Sequence, residues 1–352
     1  MEFLIKLLNS ITGGSTSSKN SNVEASTPAK PLFKGPKKTS ASSELQMVSD
    51  VSDEQIRFNN VRKKYIQEVK NPDHKVKSGE NAEKIALKYG IETASLLAHN
   101  GLDKTSVIKV GQVLKVPNTR KIVNVRNLND VAGAMGVSSE FIKNLKRAED
   151  DANLADNKFH NTPYKDKAGV LTIGIGHVVK KGDKTKLTDA EVCELCAKDL
   201  MRMEDNLSVL LGGRKVYEKL PQAIKEALLD MTFNKGTKII EETPGLLYCL
   251  KAGKYEAAIN KFTYNKSTTT QKEMSGLSKR RLFDISTAAK MYKDKVPQSN
   301  INTAQQVYNR GIELLRAECK KDGLNFENQV AGYNKDVQSY FGNRIKLKLI
   351  TK

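Results

Sequence analysis

The chain is 352 residues long, with 59 Lys and Arg against 40 Asp and Glu, a formal charge of +19, and no Trp. That length accommodates two or three domains and at least one full core. Four cysteines (Cys193, Cys196, Cys249, Cys319) in a chain this long exclude a disulfide-stapled scaffold. The charge calls for an anionic partner: nucleic acid, a membrane face or a cell wall. No nucleic-acid motif is present, so a wall polymer bearing carboxylates and phosphates is the partner expected, with no nucleic acid.

Met1–Ile11 is a short apolar run carrying Glu2 and Lys6. It lacks the charge pattern and cleavage site of a signal peptide and is too short to cross a bilayer. It reads as an amphipathic segment (1–11) that docks on a partner or an interface. Residues 12–52, rich in Ser, Thr, Lys, Gly and Pro, read as a flexible linker. Residues 53–72 read as a charged connecting helix with Ile56, Val61, Tyr65 and Ile66 as its stripe, stopped by Asn71-Pro72-Asp73.

Residues 73–118 form a compact strand–helix–helix–strand unit. A strand runs from His74 to the Gly79 turn, and a helix from Asn81 to Tyr89 buries Ala82, Ile85, Ala86 and Tyr89 before Gly90 caps it. A second helix starts at Thr93, and Gly111–Pro117 closes the unit as a strand. Its core is thin, and it holds no acid–base pair in a cleft, so it binds rather than catalyses. Val76-Lys77-Ser78-Gly79-Glu80, Ile85 to Gly90, Leu96 to Leu102 and Ile108 to Pro117 resemble a LysM module along its whole length. The resemblance implies binding of N-acetylglucosamine-containing chains. The groove would lie between Gly79, Glu80, Asn81 and Ala82 on one side and Asn100, Ile108, Lys109 and Val110 on the other. Gly79-Glu80-Asn81-Ala82 departs from the usual Gly-Asp-Thr-Leu, which leaves a protein–protein adaptor as the alternative use.

After a connector (119–140), Ser138-Ser139-Glu140 starts a helix whose apolar face is Phe141, Ile142, Leu145 and Ala148 and whose end is Glu149-Asp150-Asp151. From Val170 the pattern alternates. Leu171, Ile173 and Ile175 take one face, while Thr172, Gly174 and Gly176 take the other, a wall stripped of side chains. Helices follow at 188–210, 221–234, 243–251, 254–262, 278–292 and about 302–322. Cys193 and Cys196 stack on one helix face as core, with no second pair to complete a zinc site. The fold class expected is α+β: a mainly helical domain (141–297) with a small sheet lobe, behind the βααβ module.

Glu149 ends a helix beside Asp150 and Asp151, where the dipole and like charges disfavour its ionised form, as a general acid requires. Asp166, in a polar turn between Lys165 and Lys167, should stay ionised. Two carboxylates held in opposite protonation states suit glycoside hydrolysis. A solvated acidic helix end is the structural alternative, and Asp150, Asp151 or Asp156 could take the acid role instead.

Leu145-Lys146-Arg147-Ala148-Glu149-Asp150, Tyr164-Lys165-Asp166 and Gly169 to His177 resemble the active-site region of the phage T4-type lysozymes, glycoside hydrolase family 24. Leu229-Asp230-Met231-Thr232-Phe233-Asn234-Lys235-Gly236 resembles the family's cleft-lining helix, and Gly276 to Arg281 its late basic motif. The resemblance implies an inverting muramidase that cuts between N-acetylmuramic acid and N-acetylglucosamine. Glu149 would be the general acid, with Asp166 and Thr172 positioning the attacking water. Gly174, Gly176, His177, Met231, Phe233, Asn234, Gly236, Arg280 and Arg281 would line the substrate, with either Arg280 or Arg281 reaching Glu149 and His177 acting as a structural partner at the cleft wall. Seventeen residues separate Glu149 from Asp166, and Asn157 stands at the family's usual distance. The spacing implies an eight-residue insertion in the loop 151–161.

Residues 298–352 match no known motif. They read as a helical extension ending in a basic strand-like tail, 344–350, able to add to a partner's sheet. No cofactor and no metal are expected. The partner expected is bacterial peptidoglycan, together with phage tail or other virion proteins through the two terminal segments. The protein would act as a phage endolysin or a virion-carried lysozyme, in the virion or in the host cell at lysis, with no transmembrane segment and no signal peptide. The alternative is a structural tail or baseplate-type wall-binding protein whose lysozyme-like domain is inactive or secondary.

Overall fold

A computed structural model describes residues 56–149, 155, 157–166, 169–264, 266 and 272–341. The expectations for 1–11, 12–52 and the tail 344–350, and those for Asp150, Asp151 and Asp156, fall outside these residues.

Residues 56–62 are helical, but the connecting helix ends there. Ile66–Val69 is instead a strand, β1. Further along come β2 (His74–Lys75), helix α1 (Ala82–Tyr89), α2 (Thr93–His99), β3 (Val113–Leu114) and β4 (Thr119–Ile122). β1 pairs antiparallel with β4, Ile66 opposite Ile122 and Val69 opposite Thr119. The expected helix yields to a strand because its partner, fifty residues on, supplies a full ladder that local sequence cannot reveal. This two-stranded ribbon leads into and out of the small unit whose strands, β2 and β3, pair His74 with Leu114. Asn81 accepts the Lys84 N–H as N-cap of α1, and Gly90 takes φ 64° beyond its end. Val76, Ile85, Ala86, Leu96, Leu114 and Val116 form the unit's own core, and α2 packs against the long helix α5 described next.

The second core is much larger and runs from Ile122 to Phe341. It takes in α3 (Leu128–Met135), α4 (Ser139–Glu149), α5 (Asp189–Leu211), α6 (Arg214–Glu218), α7 (Gln222–Lys235), α8 (Lys238–Glu242), α9 (Leu246–Lys251), α10 (Tyr255–Ile259), α11 (Ser275–Ala289), α12 (Gln298–Asp322) and α13 (Phe326–Phe341). α7 and α11 are buried nearly all round and form its centre. Beside this lobe lies a three-stranded antiparallel sheet of β5 (His160–Lys165), β6 (Leu171–Gly174) and β7 (His177–Val178), in that order. Thr188 and Glu191 make a reciprocal capping box that starts α5 next to this sheet. Cys193 and Cys196 are buried in the main core, and burial pushes the Cys193 thiol up to about 12.

The extension shares this core. Ala304, Val307, Tyr308, Tyr333, Val337 and Phe341 all join it, and α12 lies along α11. At Gly311 the helices approach so closely that a Cβ would stand 3.1 Å from Ser278 Cβ and 3.0 Å from Tyr333 Cζ. Glu318 of α12 accepts from the Ser275 N–H at 2.9 Å at the first turn of α11, a carboxylate where the helix dipole favours one.

The ribbon is tied to the main lobe by charge. Arg62, Arg120 and Arg214 converge on Glu204 of α5, whose side chain is 1% exposed. Arg120 and Arg214 also reach Asp205. Burial pushes the Glu204 carboxyl up, but the three guanidiniums hold it well below the usual carboxylate range. Tyr65 donates to Asp130 at 2.9 Å on the same side. Among the described residues no helix is long and apolar enough to cross a membrane.

Candidate active site

Glu149 is the last residue of α4. The helix buries Phe141, Ile142 and Leu145 as expected, but Ala148 is exposed and Lys146 is buried in its place. Beyond the helix, the Lys146 ammonium donates to the Ala155 carbonyl at 2.9 Å and lies 5.8 Å from the Phe159 ring centre. At its start, Ser138 Oγ accepts from the Phe141 N–H, and Glu226 of the buried α7 accepts from the Ser138 N–H. Both ends of α4 are therefore fixed, and Glu149 with them.

The alternating strand expected through Gly176 stops at Gly174. Gly174 and Gly176 have φ of 66° and 68°, a left-handed backbone that glycine adopts without strain. The chain turns there, so that Ile173 pairs with His177 in a tight hairpin. The faces separate accordingly. A Cβ on Gly174 would meet Val192 of α5 at 3.1 Å, whereas one on Gly176 would meet Glu149 Oε2 at 2.9 Å and Phe233 Cε1 at 3.0 Å. The hairpin tip thus lies against the Glu149 carboxylate, with Phe233 of α7 as the third party.

The other Glu149 oxygen faces Arg280, whose Nη1 is 2.5 Å from Oε1. Arg280 donates through Nε and Nη2 to the two oxygens of Asp230, at 2.8 and 3.1 Å. Asp230 is fully buried. Its burial raises the carboxyl pKa, and Arg280, with Arg281 behind it, outweighs this and holds it below the usual range. The structure separates the two arginines: Arg281 is 1% exposed and pairs with Asp284 of its own helix at 3.0 Å. Arg281 is therefore not a substrate contact. Met231 is fully buried in the core and is not one either. Asn234 is half-buried, and its Oδ1 lacks a hydrogen-bond partner among the described residues. Gly236 terminates α7 with φ 70°.

Asp166 sits in the turn between β5 and β6. Its backbone N–H donates to the Val170 carbonyl, and its Oδ1 accepts the Val170 N–H at 2.8 Å. Thr172 stands opposite Tyr164 in the ladder, 4% exposed, with its hydroxyl donating to Val170 O at 3.1 Å. His177 has both ring nitrogens occupied, Nδ1 with Asp199 at 2.7 Å and Nε2 with Asp183 at 3.2 Å. It latches the hairpin to α5 and has no nitrogen left for substrate. The Asp199 hydrogen bond raises its pKa against the opposing effect of burial. Sequence reasoning missed Asp230, Asp199 and Lys146. Asp230 lay inside a quoted motif, but its role depends on an arginine fifty residues away.

In the small module, antiparallel pairing of β2 with β3 places the Gly79–Ala82 turn and the 108–110 segment at the same end of that pair. Glu80 accepts from the Lys77 N–H and bonds the buried His74 at 2.7 Å; the His74 hydrogen bond, then the backbone one, lower its pKa. Asn81 is the helix cap, with Ala82 in the first turn behind it. Asn100 exchanges hydrogen bonds with Lys115 and donates to Leu96 O. Glu80, Asn81 and Asn100 thus shape the module, and Ile108 packs at its core. Gly79, Lys109 and Val110 are exposed there.

A helix-end carboxylate set against a glycine hairpin, beside a mainly helical lobe and behind a βααβ module, is the layout of a lysozyme-type glycosidase with a wall-binding module. Comparison with known proteins gives the particulars. Residues 156–283 match the sequence model of the family described as phage lysozyme, and residues 74–117 that of the LysM domain. The chain carries both domains. The lysozyme match begins downstream of Glu149, so that residue's assignment rests on geometry. Similar solved structures include a P22 lysozyme mutant, 27% identical, covering 41% of this chain and 92% of its own, with TM-score 0.32. Another is the active form of the P1 phage endolysin, 15% identical, covering 47% and 95%, with TM-score 0.38. No curated protein sequence matches.

Proposed function

We propose that the protein is a peptidoglycan muramidase that hydrolyses the β-1,4 bond between N-acetylmuramic acid and N-acetylglucosamine with inversion. Glu149 protonates the leaving oxygen, while Asp166 and Thr172 hold the attacking water. The observation that carries this reading is the Gly176 backbone against Glu149. A side-chain-free tip lets the backbone pack directly on the carboxylate, and Arg280, fixed by buried Asp230, sets its position. Phe233 of α7 packs at the same place, 3.0 Å from where a Gly176 Cβ would stand. The LysM module keeps the enzyme on its polymer, raising local substrate concentration without altering the chemistry. The net charge of +19 supports attraction to an anionic wall. In this reading the protein serves a phage as an endolysin or a virion-associated lysozyme.

Glu149→Gln is the test. It should abolish release of reducing ends from purified peptidoglycan and leave co-sedimentation with the same material intact. Undiminished release would remove Glu149 from the acid role, and an inactive unmodified protein would remove the enzyme reading altogether.

A further inference from the structure

β5 is irregular where it nears the candidate site. His160 pairs with Gly174 and Tyr164 with Thr172, so Asn161, Thr162 and Pro163 stand opposite the single residue Ile173. Such bulges re-aim side chains. This one is anchored: Asn161 Nδ2 donates to the Leu187 carbonyl at 3.0 Å and to Asp189 at 2.9 Å, and the Leu187 N–H donates back to Asn161 O at 2.9 Å. The effect is to fold His160 onto Tyr164, with ring centres 4.0 Å apart and planes inclined by 28°. Directly opposed strand residues share a face, so the stacked rings stand on the face of Thr172. Both rings are half-buried.

From this arrangement we infer that His160 and Tyr164 form an aromatic platform that stacks one pyranose ring of the glycan, a specificity element of the activity proposed above, on which the inference rests. A pyranose has an apolar C–H face and a polar rim. The site offers flat rings for the face and Asp166, in the turn two residues beyond Tyr164, for the rim.

The chain has no Trp, so His160→Trp places a single indole on the platform. In the Glu149→Gln background, titration with a soluble N-acetylglucosamine oligomer should give a saturable change in emission. In kinetics on solubilised glycan strands, His160→Ala should raise KM about three- to tenfold while kcat stays within about twofold, and His160→Phe should restore KM. An unchanged indole signal with a cleaving wild-type enzyme overturns the platform. So does a His160→Ala variant that melts earlier with KM unaltered, since the rings would then only brace the bulge. A saturable indole signal in a protein that cleaves nothing keeps the platform and rejects the muramidase reading.

Discussion

Gly176 stands where a single methyl group would press on Glu149: an added Cβ would be 2.9 Å from Oε2. Its φ of 68° is equally unwelcoming to any side chain. Gly176→Ala is therefore expected to cost about 1–2 kcal/mol from the left-handed backbone alone. The carboxylate must also move, and a displacement on the ångström scale lowers kcat about a hundredfold. Reducing-end release and urea unfolding measured on one preparation check both parts.

Arg280 serves two carboxylates at once, one in the site and one fully buried. Arg280→Met leaves Asp230 as an unpaired buried charge, and about 3–5 kcal/mol of stability should go with it. Arg280→Lys keeps the charge but not the fork, and an ammonium cannot span Asp230 and Glu149 together. That variant should fold and turn over more slowly. If its kcat equals that of the wild type, Arg280 has no part in setting Glu149.

The His177 latch predicts a pH signature. Its pKa is raised in the fold, above the free value of about 6.5. Its contribution is therefore fully present below that value and fades as pH rises through the folded pKa. The Asp183 carboxyl is lowered, first by the Lys180 N–H and then by His177, so its share is lost only as pH falls through that depressed value. The melting temperature of His177→Asn should trail that of the wild type most at about pH 5, and the gap should narrow towards about pH 8.5. A constant gap across this range would mean that packing alone holds the hairpin.

The parts of this fold legible in the sequence are those written locally. The capping box of Thr188 and Glu191, the Asn81 and Gly90 caps, and the helix ending in Glu149 all declare themselves within a few residues. Ile66–Val69 reads as helix because its only reason to extend is β4, which no local window contains. The Gly174–Gly176 segment reads as a strand because alternation continues through it, whereas two positive φ angles end the ladder and aim Gly176 at Glu149. The same holds for the site's supports. Glu149 is legible as the end of a helix, but Asp230 and Asp199 act through partners far along the chain.

The ribbon β1–β4 makes the LysM module removable in one place and not in another. Deleting 74–117 and joining the ribbon strands by a short turn keeps Arg62 and Arg120 on Glu204. That variant should lose wall retention and the packing of α2 on α5, but keep this charge cluster and its turnover of soluble wall fragments. A chain begun at residue 123 leaves Glu204 with Arg214 alone, and breaking a buried charge cluster in this way costs about 3–5 kcal/mol. Other contacts of the ribbon, Tyr65 to Asp130 among them, are lost in the same cut, so a double-mutant comparison isolates the charge effect. Glu204→Gln should destabilise the full chain strongly, because three guanidiniums are left facing a neutral amide. In the chain begun at 123 the same substitution should cost distinctly less, with two of those guanidiniums already gone. Equal costs in urea unfolding of the two backgrounds would show that Glu204 answers to Arg214 and not to the ribbon.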